Sequence, residues 1–248
     1  MRFFAHRFGR EYGPDSTRAT LAAALREPLD GLETDCCLTA DGRIALLHDP
    51  LLRQGTTLDG WTYERTAADI AAARVLDRAG SVVDEHPMLL EDLWPLLAGR
   101  CLVVQLEVKA ICDEDLALRT CEALCRALAA TPPPLGVRIE VISFWPEVLP
   151  IAAASGWATR LIVASPYTPA ALARWAVEHG VTGVILEAPF WSQRHVDVWR
   201  GAGLSLMSGV CNDVDVARRV LAFGPDVFAS DRPHELRAEL LASSLAPA

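Results

Sequence analysis

Runs of apolar residues alternate along this chain with Ala/Leu/Arg-rich stretches of helical character, and that alternation restricts the fold more than any other feature. Strand-like runs fall at residues 3–6, 31–36, 44–48, 102–109, 138–144, 160–164, 183–187, 204–208 and 227–230. Helical stretches lie between most of them, at residues 16–26, 67–75, 89–97, 115–129, 147–154, 169–178, 193–200, 213–221 and 233–241. Ser16, Thr168 and Asn212 stand where helix N-caps are expected. Continuous apolar strands separated by helices predict a parallel sheet covered on both faces. Without a Gly-rich phosphate fingerprint, so many units favour a closed (β/α)8 barrel over an open doubly wound sheet. Nine strand candidates exceed eight barrel positions, so one of them is an extension.

One connection has no room for a helix. Only Leu38-Thr39-Ala40-Asp41-Gly42-Arg43 separates the second run from the third. Asp-Gly between apolar runs signals a β-hairpin. A turn centred on Ala40 and Asp41 sets Glu33 across from His48 and Asp35 across from Leu46. Glu33, Asp35 and His48 then share a face, by the two-residue period of strands. Residues 51–87 form the longest stretch between strands, turn-rich over 54–60 and helical from Glu64, and are a candidate cap. The expected fold is α/β: a distorted (β/α)8 TIM barrel with a β-hairpin between the second and third strands and a small insertion after the third. At 248 residues the chain has the length of one such barrel and is read as a single domain, 1–248.

The net charge of −9 argues against a nucleic-acid-binding surface, which needs clustered Lys and Arg, but leaves room for a small phosphorylated ligand. There is no run of about 18 uncharged apolar residues, so no membrane span is expected. The first residues carry no secretory apolar region. Seven cysteines are scattered at Cys36, Cys37, Cys101, Cys112, Cys121, Cys125 and Cys211. Cys121 and Cys125 share a helix face, yet no further Cys or His completes a zinc spacing. Free thiols in a reducing cytoplasm are the expected reading.

Charged residues interrupt several apolar runs at their ends: His6, Glu33 and Asp35, His48, and Glu107. Such groups are rare in buried strands unless paired or ligand-bound. Carboxylates suit a hard cation and imidazoles suit proton transfer, so the set points to metal-assisted cleavage of a phosphate ester.

The order and spacing of these motifs resemble the glycerophosphodiester phosphodiesterase family. His6-Arg7 resembles its opening His-Arg, and Pro14-Asp15-Ser16-Thr17 stands where the family has Pro-Glu-Asn-Thr. Gly31-Leu32-Glu33-Thr34-Asp35 resembles its Gly-x-Glu-x-Asp, and Asp41-Gly42 through His48-Asp49-Pro50 its hairpin and His-Asp end. Glu107-Val108-Lys109, Ser143-Phe144 and Ser230-Asp231-Arg232-Pro233 resemble its later motifs. The resemblance implies Glu33, Asp35 and Glu107 as ligands of Mg²⁺ or Ca²⁺, and His6 and His48 as the acid–base pair, without dividing the two roles. It implies Arg7 and Lys109 as phosphate contacts, with ion pairs to neighbouring carboxylates as the alternative. Glu187, at the end of an expected barrel strand, either lines the pocket or pairs with a cation.

Three departures concern what surrounds these residues. Phe8 follows His-Arg where the family has Gly, Asp15-Ser16 replaces Glu-Asn, and Met207-Ser208-Gly209-Val210 replaces Trp-Thr-Val-Asn. Phe8, Tyr12, Trp145 and Trp191 are candidates for an apolar wall in place of the absent Trp. The implied activity is hydrolysis of glycerophosphodiesters to glycerol 3-phosphate and an alcohol. A different phosphodiester, or metabolite binding without catalysis, stays open. The expected partner is a small-molecule phosphodiester.

Overall fold

The computed structural model describes residues 1–111, 113–164 and 167–244, so Cys112 lies outside the described residues. The strands are β1 (Arg2–Ala5), β2 (Gly31–Leu38), β3 (Ile44–Leu46), β4 (Met88–Leu89) and β5 (Leu102–Val108). They continue with β6 (Val137–Ser143), β7 (Ala158–Val163), β8 (Gly183–Leu186), β9 (Ser205–Val210) and β10 (Val227–Ser230). The helices are α1 (Arg18–Ala24), α2 (Ala67–Ala72), α3 (Leu90–Leu97), α4 (Glu114–Ala130) and α5 (Leu149–Ala154). After them come α6 (Pro169–Glu178), α7 (Gln193–Gly201), α8 (Val214–Leu221) and α9 (Pro233–Ser244). Parallel pairing runs β1-β2-β5-β6-β7-β8-β9-β10 and returns to β1, closing a TIM barrel.

The period of two along each strand sorts side chains into two cores. Phe4, Val103, Ile142, Ile162, Ile185, Met207, Val227 and Ala229 fill the barrel interior. Their chain neighbours, such as Val104, Val141, Val184 and Phe228, pack outward under the helices. Gly31 is required by this filling, because a Cβ there would lie 2.5 Å from the Phe4 ring. Nearer the strand starts, a polar layer crosses the interior. Arg160 Nε donates to Glu140 Oε2 at 2.7 Å and Arg160 Nη2 to Glu140 Oε1 at 3.0 Å. Gln105 Nε2 donates to Glu140 Oε2 at 2.8 Å, and Arg160 Nη1 to Ser205 Oγ at 2.7 Å. Gly183 leaves space for this layer, since a Cβ would meet both Ser205 Oγ and Arg160 Nη1.

The ninth strand candidate, 44–48, is the extension. As β3 it pairs antiparallel with the C-terminal end of β2, and β4 pairs with β3, both outside the barrel. The hairpin register corrects the sequence-based expectation by one residue: Cys36, not Asp35, opposes Leu46. The loop has three residues rather than two. Gly42 takes φ +78°, its N–H donates to Thr39 O, and Thr39 N–H donates to Arg43 O. This is the loop in which a left-handed glycine follows a tight turn. A one-residue slip exchanges the two faces, so pairing does not bring His48 beside Glu33 and Asp35. His48 lies beyond the end of β3, where the chain bends and Leu47 O accepts from Cys37 Sγ.

Two expected caps also differ. Ser16 sits at φ +54° with its hydroxyl on Thr34, and Thr17 caps α1 by accepting from Thr20 N–H. Asn212 spends its side chain on Asp231, and Asp213 caps α8. Thr168 occupies the N-cap position of α6 without a side-chain cap bond. The insertion after β3 holds α2 and two short 3₁₀ turns, and packs Leu52, Ala67 and Ile70 against Cys37, Ala45 and Leu47. With Arg7, Arg10 and Asp15 it encloses a cavity of about 150 Å³ that also reaches His48. No helix among the described residues is long and apolar enough to cross a membrane.

Candidate active site

β2 and β5 lie side by side with Asp35 paired to Glu107 and Glu33 to Gln105. Barrel-facing Glu33, Asp35 and Glu107 are therefore forced together at the C-terminal ends of the strands. One carboxylate oxygen from each lies within 4.8 Å of the others, and all three residues are buried. Glu33 Oε1, both Asp35 oxygens and Glu107 Oε1 receive no directed hydrogen bond. Lys109 Nζ approaches Asp35 Oδ1 at 3.1 Å and Glu107 Oε1 at 2.6 Å, and Arg7 Nε approaches Asp35 Oδ2 at 3.4 Å, as ion pairs.

The electrostatics follow from this crowding. Burial, then repulsion from Asp35 and Glu107, pushes Glu33 well above the carboxylate range. Burial and Asp35 push Glu107 up to about 7 against the pull of Lys109. Asp35 is also pushed up by burial, but Lys109, Arg7 and both histidines together hold it below its ordinary value. One ionised acid with two neighbours driven toward neutrality is what three converging carboxylates do without a cation between them. Their converging oxygens fit a hard divalent ion, whereas zinc prefers N or S donors.

His6 lies in the turn that follows β1, and His48 in the bend that follows β3. Each uses Nδ1 on a carboxylate: His6 Nδ1 lies 2.6 Å from Asp231 Oδ1, and His48 Nδ1 lies 3.1 Å from Asp49 Oδ1. Asp231 is itself held, with Asn212 Nδ2 donating to its Oδ2 at 2.8 Å and its own N–H donating to Asn212 Oδ1. A carboxylate on Nδ1 fixes ring orientation and leaves Nε2 for proton exchange. His6 Nε2 lies 3.9 Å from Glu33 Oε2. Burial lowers the His6 pKa, with the Asp231 bond opposing the shift.

The turn carrying His6 is strained. Arg7 and Phe8 take φ +47° and +66° in succession, a region that costs non-glycine residues about 1–3 kcal/mol each. Full burial of the Phe8 ring, Arg7 N–H donating to Glu33 Oε2 at 2.9 Å, and Ser16 N–H donating to Arg7 O hold it in place. Phe8 thus adopts the backbone that glycine would take freely. Asp15 clamps Arg7 Nη1 and Arg10 Nε at 2.8 Å each.

His6, Arg7, Glu33, His48, Glu107 and Lys109 all face one cavity of about 230 Å³ at the C-terminal mouth of the barrel. Glu187 lines the same cavity, half-buried, and burial raises its pKa. Seven of the eight site residues expected from sequence thus line one cavity, and the eighth, Asp35, lies behind them in contact with Arg7 and Lys109. Their roles are a separate matter.

The four aromatic candidates do not line this cavity. Phe8 and Trp191 are core, with Trp191 Nε1 donating to Leu186 O, and Tyr12 stacks on His234. Trp145 borders an adjoining cavity. The aromatic in the cavity is Phe144, 45% exposed, with Lys109 Nζ 5.8 Å from its ring centre. Sequence reasoning gave Asp231 no role in the site and read Asn212 only as a helix cap. Asp231 was visible in the Ser-Asp-Arg-Pro motif, but its partner is 225 positions away.

Residues 6–112 match the glycerophosphoryl diester phosphodiesterase family. A glycerophosphodiester phosphodiesterase of Bacillus altitudinis is 32% identical over 113 residues, covering 44% of this chain and 45% of that protein. One from Caldanaerobacter subterraneus is 26% identical over 107 residues, 43% of this chain and 44% of the relative. The alignments thus span less than half the length of the curated relatives. The barrel matches over nearly the whole chain. A phosphodiesterase of Oleispira antarctica, solved in complex with its product sn-glycerol-3-phosphate, superposes with TM-score 0.86 at 22% identity, covering 96% of both chains. A glycerophosphodiester phosphodiesterase of Agrobacterium tumefaciens gives TM-score 0.72 at 20% identity, covering 96% of this chain and 99% of that one. The N-terminal part of the chain, residues 6–112, thus carries the sequence signature of the glycerophosphoryl diester phosphodiesterase family, on a barrel that superposes with solved phosphodiesterases over nearly its whole length.

Proposed function

We propose that the protein hydrolyses glycerophosphodiesters to glycerol 3-phosphate and an alcohol, with a divalent cation and with His6 and His48 as the proton-transferring pair. The observation that carries this reading is the convergence of three buried carboxylates at a cavity that also holds two imidazoles, each braced on a carboxylate. Glu33, Asp35 and Glu107 would hold Mg²⁺ or Ca²⁺. Bound there, the ion supplies charge stabilisation to the phosphoryl oxygens. Arg7 and Lys109 lie in the same cavity and add positive charge for the non-bridging oxygens. One imidazole takes a proton from the nucleophile, water or the adjacent substrate hydroxyl, as its oxygen bonds to phosphorus, and the other donates a proton to the departing alkoxide; where the substrate hydroxyl attacks, water then opens the cyclic phosphate to glycerol 3-phosphate. Asp231 and Asp49 keep the two rings oriented while these transfers occur. The chain acts as one catalytic domain on a small-molecule diester, with residues 51–87 as a cap. The six described cysteines are all free thiols, which fits a reducing cytoplasm.

The test is release of glycerol 3-phosphate from glycerophosphocholine with added Mg²⁺ or Ca²⁺, compared with an aryl phosphodiester. Chelation should abolish turnover. Turnover of the aryl diester alone removes the glycerol specificity, and no turnover of either with any divalent ion removes the enzyme reading in favour of a binding protein. A finer check concerns Asp231. Asp231→Asn keeps the shape but weakens the charge behind His6, so kcat should fall about 100-fold with KM and melting temperature little changed. An unchanged kcat would remove Asp231 from the machinery.

A further inference from the structure

The cavity at the barrel mouth has a second charged feature, across the barrel from the carboxylate triad. β8 and β9 lie four staves away from β2 and β5 in the eight-stave ring, on its far side. Ile185 pairs with Met207, both inward-facing, so the next inward residues, Glu187 and Gly209, are neighbours at the rim. The Glu187 carboxylate lies over the Gly209 backbone. A Cβ at position 209 would come within 2.5 Å of Glu187 Oε1 and 2.9 Å of Oε2, so only glycine admits this posture.

Glu187 makes no side-chain hydrogen bond or ion pair with any described residue. Its cavity neighbours Ile162, Ile185, Met207 and Val210 are apolar, and the half-exposed Phe144 ring lines the same space. The cations in the cavity are committed elsewhere, Lys109 to Asp35 and Glu107, and Arg7 to Asp15 and Asp35. A half-buried carboxylate without a partner, beside an aromatic ring, is suited to an incoming cation.

We propose that Glu187, seated on Gly209, selects the alcohol half of the substrate and favours phosphodiesters whose alcohol carries an ammonium charge. This rests on the phosphodiesterase reading above. The phosphate lies against Arg7, Lys109 and the triad, and the alcohol crosses the mouth over Ile162, Ile185 and Met207 to reach the carboxylate. The charge, rather than a particular hydroxyl pattern, is what Glu187 reads.

The experiment compares three glycerophosphodiesters that share the glycerol phosphate: the ethanolamine ester, its neutral n-propyl counterpart, and the glycerol ester. The wild-type protein should favour the ethanolamine ester over the propyl ester in kcat/KM by about tenfold to a hundredfold, the range for a charged contact. Glu187→Gln should bring that ratio close to one. Gly209→Ala should do the same with Glu187 still present, because the displaced atoms are the end of a flexible side chain and the fold tolerates the change. A ratio that survives both substitutions overturns the proposal, as does a glycerol ester favoured as strongly as the ethanolamine ester. Equal hydrolysis of all three overturns the selection but leaves the phosphodiesterase reading standing, whereas hydrolysis of none overturns both.

Discussion

Alanine at His6 or at His48 is expected to lower kcat by about 10²–10⁴-fold in each case, the usual worth of a positioned acid or base. Neither substitution should remove the thermal stabilisation conferred by Mg²⁺ or Ca²⁺. A ligand that binds only the folded state raises stability in proportion to the logarithm of its saturation, so the melting shift reports the ion separately from the chemistry. The separation follows from geometry. The triad lies on β2 and β5, whereas the histidines follow β1 and β3 and are held from behind by Asp231 and Asp49. In His6→Ala, Asp231 keeps both bonds to Asn212, so the wall behind the lost ring stays in place. The loss should exceed that of Asp231→Asn, in which the imidazole itself remains. Wild-type turnover in either alanine variant would remove the paired mechanism. Loss of the metal-induced shift in either would instead make that histidine a ligand.

The largest effect on stability is expected from Arg160→Met. Arg160 and Glu140 have side chains only 4% and 13% exposed, and Glu140 also accepts from Gln105. Burial alone would raise the Glu140 pKa, but Arg160, with help from Gln105, holds it below the ordinary carboxylate value. Removing the guanidinium strands a buried carboxylate inside the barrel, at a cost of about 3–5 kcal/mol. For a domain of this size that lowers the melting temperature by roughly 10 °C. The pH dependence gives the sign. With Arg160 present, Glu140 has a lowered folded pKa and contributes stability above its ordinary value, lost as pH falls through the lowered one. In Arg160→Met the folded pKa of Glu140 is raised instead. The cost of the stranded carboxylate should then be full above the raised pKa, shrink as pH falls from there toward the ordinary Glu value, and be gone below about pH 4, where the carboxyl is protonated in both states. Melting curves at the two pH values check this, and an equal loss at both would remove the charge explanation. Adding Glu140→Leu to Arg160→Met should recover part of the loss, because an apolar pair leaves no stranded charge.

The eight barrel staves were legible because a parallel strand covered on both faces must be a near-continuous apolar run, as in Leu102–Val108 and Gly183–Leu186. The acids were legible for the same reason, since Glu33, Asp35 and Glu107 break runs that otherwise exclude charge. The hairpin was legible in Asp41-Gly42, but its register was not. The same dipeptide serves a two-residue turn and a three-residue loop ending on left-handed Gly42, and the one-residue difference exchanges the faces. His48 reaches the cavity by a bend in the chain rather than by strand pairing. The caps failed for a related reason: Ser16 and Asn212 are good local caps, yet each is used by a partner distant in sequence, Thr34 and Asp231.

By itself, the sequence determined the repeating units and the residues that carry charge to the strand ends. These depend on local periodicity and on the cost of burying polar groups. Only the tertiary structure decided which of those residues meet. Barrel closure sets β10 beside β1 and so places Asp231 on His6, and the pairing of β6 with β7 brings Arg160 to Glu140. The pairing of β8 with β9 lays Glu187 over Gly209, and the position of Phe144 just beyond β6 makes it, rather than Phe8, Tyr12, Trp145 or Trp191, the aromatic of the cavity. Such contacts join residues on different strands, and they follow from which strands pair and how the ring closes rather than from any local pattern.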